Sequence, residues 1–461
     1  MNNFFTTLTF LFITHFSFSQ SYESKIDSIV SLHYSSNDPG ISILVAKDGK
    51  AIYQKALGKS NLELNTPIQL NSVFQIGSIT KQFTAVSILM LAEQGKLNIE
   101  DKIGKYIPEY AEVGKDITIH HLLNHTSGIK NKTPLSEKNY TSRMDRSPKE
   151  LITYFKDEPL VFMPGEKFKY SNAGYILLGQ IIETISKQSY VEFIQENIFD
   201  KIGMTSSYYG NMKQIIPNRT NGYIIEQNKY INADYMSLSL AYSAGAILST
   251  TEDLLKWQKA LLSNTLLKAS SIKQAMTPTL LNSGKRIPYG YGFRFSRLGN
   301  SPVIAHTGST KGFTGIALFL PQENMYITAL TNCNCKNVNN VAKQVAELFV
   351  TIPDANKISA VTKTIEQVKK SIAVPVEILN NYTGTYEVKP NVNLTIGLDN
   401  TNQLYLLAPG QTKKVELFAE TQNHFFVKIV DAEITFNKNE TNNVISLTMN
   451  QSGRKIIAKK N

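Results

Sequence analysis

"FQIGSITKQF", residues 74–83, sets Ser78 three residues ahead of Lys81 at the point where an apolar run begins. Apolar residues continue at Ile79, Phe83, Val86, Ile88, Leu89, Met90 and Leu91. They cover more than one stripe, so the pattern predicts a helix that starts at Ser78 and is buried nearly all round. Gly95 supplies its stop, as glycine commonly does just past a helix end. A lysine in the first turn of such a helix is costly, because desolvating an ammonium takes roughly several kcal/mol even after relaxation. Residues three apart share a helix face, which makes Ser78 and Lys81 neighbours. The unpaired NH groups of the first turn make the local field positive, favouring an oxyanion and disfavouring an ammonium. Lysine ordinarily titrates at about 10.4, and acting as a base at neutral pH requires its neutral form to be favoured by about 4 kcal/mol. Burial and the helix terminus both push that way. A lysine so placed can take the serine proton.

Spacing alone does not carry this reading, since Ser127–Lys130, Ser270–Lys273 and Ser452–Lys455 have the same interval. Helix N-capping by Ser78 with a solvated Lys81 is the competing account. Two further stretches count against it. "FKYSNAGY", residues 168–175, places Tyr170, Ser171 and Asn172 in a loop just before an apolar-periodic helix, where Ser171 or Asn172 also fits an N-cap. "VIAHTGSTKGF", residues 303–313, places His306, Thr307 and Gly308 on a strand, with Gly308 allowing close approach of another backbone or a substrate, or marking a bulge.

These three stretches, in this order, resemble the serine hydrolases of the beta-lactamase and penicillin-binding protein superfamily. The branch is the one shared by class C beta-lactamases, D-alanyl-D-alanine carboxypeptidases, D-aminopeptidases and related esterases, in which S-x-x-K carries the nucleophile. "ITIHHLLNHTSGI" (117–129), "FMPGEKFKYSN" (162–172) and "SAGAILSTTEDLLKW" (243–257) add to the likeness, which covers roughly residues 22–350. The resemblance implies Ser78 as nucleophile, with Lys81 and Tyr170 sharing proton transfer. Tyr170 could act as a base only with a lowered pKa or through a relay from Lys81, because a free phenol titrates at about 10. Asn172 is implied to bind a substrate amide and to help hold Lys81, and the NH groups of Ser78 and Ser309 to form an oxyanion hole. His306, Thr307, Gly308 and Ser309 make up the substrate-binding strand. Beta-lactamases usually carry lysine where this chain has His306, so weaker carboxylate recognition is implied, and esters or amides with D-configured residues become the expected substrates. A non-hydrolytic binding protein that holds or senses a peptide is the alternative.

The remaining chain fits an exported two-domain protein of 461 residues, 42% hydrophobic and 18% charged. Its formal charge of +11 comes from scattered lysines without a basic run or a nucleic-acid motif, so no nucleic-acid partner is expected. Residues 1–19, "MNNFFTTLTFLFITHFSFS", read as a signal peptide cleaved just before Gln20, with a periplasmic or secreted product. No later stretch approaches the roughly 18 apolar residues of a membrane span. Cys333 and Cys335 are the only cysteines, and in an extended strand their Cα atoms approach the upper limit for a disulfide, so two thiols are expected.

"GISILVAKDGKAIYQKALGKS" (40–60) reads as a hairpin, residues 289–332 as strands joined by turns, and the region between as helical. This is an α+β fold (an α/β sandwich): an antiparallel sheet assembled from both ends of the domain, flanked by helices, with a helical insertion subdomain. The hydrolase domain is expected over 20–352, a linker over 353–375 and a small all-β, barrel-like domain over 376–461. "IHHLLNH" invites a metal reading, yet Leu122, Leu123 and Asn124 stand where a hydrolytic zinc helix carries glutamate. A structural role is expected for these histidines, with His125 beneath the site, and neither a metal nor a cofactor. The expected partner is a small-molecule, peptide or ester substrate, cell-wall peptide included.

Overall fold

In the hairpin that opens the sheet of the larger unit, Asp48 (φ 52°) and Gly49 (φ 72°) both take left-handed backbone. That is the geometry of the tight two-residue turn whose twist matches its strands. The structure, a computed structural model, describes residues 16–136, 140–211, 213–350, 371–389, 392–407, 414–427, 432–451 and 454–461. The turn joins β1 (Ile41–Lys47) to β2 (Lys50–Leu57), and the sheet is completed by β3 (Arg294–Leu298), β4 (Ser301–Thr310), β5 (Phe313–Leu320) and β6 (Met325–Thr331). The strand order is β3-β4-β5-β6-β1-β2, antiparallel throughout, with Ile41 of β1 opposite Thr331 of β6. The two ends of the domain therefore build one sheet around the long helical insertion.

Alternation along β1 sends side chains to two cores. Ile41, Ile43 and Val45 pack with Ile26 and Val30 of α1 (Phe16–His33), and with Val338, Val341 and Val345 near the domain's end. Leu44 and Ala46 face the larger core, which includes residues of α2 (Thr80–Glu93), α3 (Asn172–Ser186) and α4 (Thr251–Leu262). Here Trp257 of α4 stacks on Phe83 of α2 at 4.0 Å and donates its indole NH to Gln82 at 3.0 Å. The sheet is thus a wall with helices on both faces, and α2 stands against it with buried residues on every side.

The chain divides into two compact units at residues 353/354. In the second, a short helix, Val376–Tyr382, precedes nine antiparallel strands between Gly384 and Lys460. Leu379 and Tyr382 of this helix help to fill the core of the expected β domain, Tyr382 stacking on Phe436 at 4.2 Å. The two edge strands, Val415–Glu416 and Phe418–Ala419, are separated only by Leu417. Consecutive residues cannot sit at opposite edges of a flat sheet, so this one curls into a nearly closed barrel. Of the expected export signal, residues 1–15 lie outside the described residues, and from Phe16 the chain is helical across the expected cleavage point. The expected linker lies outside them up to residue 370. Among the described residues, no helix is long and apolar enough to cross a membrane.

Candidate active site

The helix expected from Ser78 begins two residues later. Gly77–Ile79 forms a 3-10 turn that runs into α2 at Thr80, and neither start has a side-chain cap. Ser78 is therefore not a helix cap. Gly77 takes left-handed backbone (φ 51°) to enter the turn, leaving Ser78 partly exposed while Lys81 is 0% exposed.

Lys81 Nζ meets three oxygens: Ser78 Oγ at 3.1 Å, Asn172 Oδ1 at 2.8 Å and the Ala244 carbonyl at 2.7 Å. The last two can only accept, so a neutral amine spends its two hydrogens on them and keeps its lone pair for the Ser78 hydroxyl. Burial, with the charge of Arg294 second, holds this amine well below the usual lysine range. Among the described residues, no carboxylate takes a hydrogen bond from it.

Tyr170 precedes α3, whose N-cap is Ser171, its side chain accepting from Gly174 NH. Asn172 opens the helix, its NH bound to Asn131 Oδ1 at 2.7 Å. Lys81 Nζ lies 4.9 Å from the centre of the Tyr170 ring. The phenol itself is buried without a well-formed hydrogen bond among the described residues. Burial pushes its pKa up to about 12, with Ser78 and Arg294 pulling weakly the other way. The lowered value that a tyrosine base needs is absent. Tyr170 holds its proton at neutral pH, as a donor does.

β4 brings the third stretch to Ser78 through two glycines. A Cβ on Gly308 would stand 1.8 Å from the Ile76 carbonyl and 3.1 Å from Ser78 N, and one on Gly77 would stand 2.6 Å from Ser309 N. Only glycine at both positions lets the strand press on the turn and set the Ser78 and Ser309 amides side by side. β3 pairs with β4 only from Ser301 to Ala305, so residues 306–310 leave that edge open. Thr307 and Ser309 reach the surface while His306 and Gly308 are buried, as alternation along a strand requires.

His306 is 1% exposed. Its Nδ1 lies 2.8 Å from the Thr307 carbonyl and must carry the hydrogen, so Nε2 accepts from the Tyr289 hydroxyl at 2.9 Å. Burial first, with the charge of Arg294 acting in the same direction, lowers its pKa to about 3. With both nitrogens engaged inside the protein, this ring braces the strand. The cation near the site is Arg294 of β3, whose guanidinium lies 5.0 Å above the Tyr170 ring and 5.5 Å from that of Tyr289. The sequence reading passed over Arg294 and Tyr289. Their signal is an arginine set among Tyr289, Tyr291, Phe293 and Phe295, on the strand that adjoins "HTG".

The histidines of 120–125 have separate duties. His120 donates from Nδ1 toward Tyr291 Oη and accepts from Asn124, and His121 closes a capping box with Thr118. His125 accepts from Ser171 NH at 3.2 Å. Cys333 and Cys335 are joined as a disulfide, a correction to the two thiols expected. β6 ends at Thr331, and the following turn brings the Cα atoms to 5.1 Å, inside the range that an extended strand would stretch.

Residues 31–350 match the family described as Beta-lactamase, and residues 368–459 match a domain of unknown function (DUF3471). A penicillin-binding protein of Bacillus subtilis is 28% identical over 432 residues, which cover 87% of this chain and 90% of that one. Among solved structures, an octameric penicillin-binding protein homologue from Pyrococcus abyssi aligns with a TM-score of 0.65 at 25% identity, over 95% of this chain and 99% of that one. A D-amino acid amidase from Ochrobactrum anthropi shares the fold, with a TM-score of 0.62 at 22% identity over 72% of this chain and 98% of its own.

Proposed function

The chain belongs to the beta-lactamase family, and on that footing we propose that it is an exported serine hydrolase that cleaves an ester or amide bond through an acyl-enzyme on Ser78. The observation that carries this is the wiring of Lys81: two of its contacts accept only, and the third is the Ser78 hydroxyl. Ser78 Oγ attacks the substrate carbonyl carbon as its proton passes to the Lys81 lone pair. The carbonyl oxygen becomes an oxyanion between the Ser78 and Ser309 amides, each worth about 3 kcal/mol in such a role. As the tetrahedral intermediate collapses, the Tyr170 hydroxyl gives its proton to the departing oxygen or nitrogen, and the Lys81 ammonium restores it. That return runs downhill, because Tyr170 at about 12 binds a proton more tightly than Lys81 does. Water then repeats the sequence on the acyl ester.

Substrate lies along the open edge of β4 past Thr307 and Ser309, with Asn172 available to its amide. Arg294 takes the place of the absent strand lysine as the partner of a substrate carboxylate, so a peptide ending in a D-residue, such as cell-wall peptide, suits the site as well as an ester does. On the other side, Gln75, Asn221, Asp234 and Lys311 help to line a cavity of about 280 Å³, which favours polar acyl groups. The larger cavity, about 670 Å³ between Tyr22, Tyr53, Met325 and Phe349, adjoins α1 and contains none of these groups.

A fluorophosphonate probe should label Ser78 and fail to label the Ser78→Ala variant; undiminished labelling of that variant would defeat the proposal. Turnover of p-nitrophenyl esters, D-alanyl peptides and nitrocefin then separates a hydrolase from a sensor that acylates and stalls. Export rests on the first 19 residues, and an N-terminus at Gln20 in protein recovered outside the cytoplasm would confirm it.

A further inference from the structure

His125 belongs to none of the three motif stretches, and its position is unusual. It takes left-handed backbone (φ 63°) and is 1% exposed. Its carbonyl accepts from Lys169 NH at 3.0 Å, and its ring Nδ1 accepts from Ser171 NH at 3.2 Å. One residue therefore grips the main chain on both sides of Tyr170. The ring itself packs against the phenol, with centroids 4.3 Å apart, and Tyr289 lies 4.6 Å away. Since Nδ1 accepts, Nε2 carries the hydrogen, and this second nitrogen is buried without a partner among the described residues. A protein gains nothing in stability by burying an unpaired N–H. Its retention is intelligible if the ring is there for the tyrosine.

We propose that His125 is the positioning residue for Tyr170: by holding the 169 and 171 amides and the face of the ring, it aims the phenolic hydroxyl at the atom that leaves. The ring is kept neutral by burial first, with the charge of Arg294 acting in the same direction, and neutrality is what allows Nδ1 to accept. This rests on the reading of Tyr170 as proton donor, and the proposal adds what holds the donor in place. Misplacing a catalytic group by about 1 Å costs on the order of 100-fold in rate, so the grip has a measurable value.

The test uses two esters that differ in their need for a proton. p-Nitrophenolate departs unaided, whereas phenolate from phenyl acetate gains from a donor. Tyr170→Phe should lower kcat/KM, which reports the steps up to acylation, on phenyl acetate by at least about 100-fold, and on p-nitrophenyl acetate by much less. His125→Ala should show the same leaving-group bias, with kcat/KM on phenyl acetate reduced roughly 10- to 100-fold. Combined with Tyr170→Phe, it should add no more than about 3-fold, because both variants remove one device. Penalties that multiply would overturn the proposal while leaving the donor role of Tyr170 intact. A Tyr170→Phe enzyme with full activity on phenyl acetate would remove both. His125→Asn guards against a folding defect, since asparagine tolerates the left-handed backbone and offers an acceptor to Ser171. It should fold, keep the grip without the ring, and show a smaller but still leaving-group-selective loss. An equal loss on both esters in this variant also overturns the proposal.

Discussion

Ser78–Lys81 and Ser270–Lys273 have the same spacing, and each pair stands near the start of a helix. The second pair is exposed, on a helix too short to shelter a lysine. In the first, α2 is covered on every side and Lys81 has no access to water. Ser127–Lys130 differs again: Ser127 Oγ is taken by Ile129 NH, and Lys130 reaches Glu158 at 2.6 Å. The fourth pair begins at Ser452, outside the described residues. What the contrast teaches is that the interval supplies a neighbour, and only burial supplies a base.

The largest effect should come from exchanging the pairs' fates. Ser78→Ala and Lys81→Ala are expected to abolish acylation and to cut turnover by at least about 100-fold, respectively. Ser270→Ala and Lys273→Ala should leave the rate on p-nitrophenyl acetate at its parent value; a loss in the second pair would erase the distinction. Next comes Gly308→Ala, whose methyl group would collide with the Ile76 carbonyl. It should reduce kcat by about 100-fold through displacement of the Ser309 amide, and lower the melting temperature in the same preparation.

A smaller effect tests the cause of the amine's neutrality. Arg294 depresses the Lys81 pKa, so removing its charge in Arg294→Gln lets Lys81 bind a proton more readily. The acidic limb of kcat/KM should therefore move to higher pH, and a limb that stays in place would assign the depression to burial alone. Least of all, Lys130→Ala should leave the melting temperature within the scatter between preparations, since its ion pair with Glu158 is partly exposed and screened by solvent.

Much of this was legible in the chain because the signals are local. The hairpin turn at Asp48–Gly49, the apolar run after Ile79 and the glycine at 308 each announce themselves within ten residues. The position of the helix start was less so, because a 3-10 turn and an α turn have nearly the same pattern over three residues. The state of Tyr170 could not be read, since it depends on how deeply a loop from another part of the chain is covered. Arg294 and Tyr289 were missed for a related reason: their chemistry comes from the strand pairing that sets Arg294 opposite Ala305. The Cys333–Cys335 bond was misjudged because an extended strand was assumed where the chain turns.

The contact between Gly308 and the Ile76 carbonyl has one more consequence. The amides proposed to receive the developing charge are main-chain atoms, so no replacement at 78 or 309 other than proline can delete them. Selection can hold that part of the machinery only by guarding two residues that bear no functional group. In a saturation library screened for turnover, positions 77 and 308 should prove as intolerant as the nucleophile itself, a pattern that would look like catalysis and would in truth be a record of clearance.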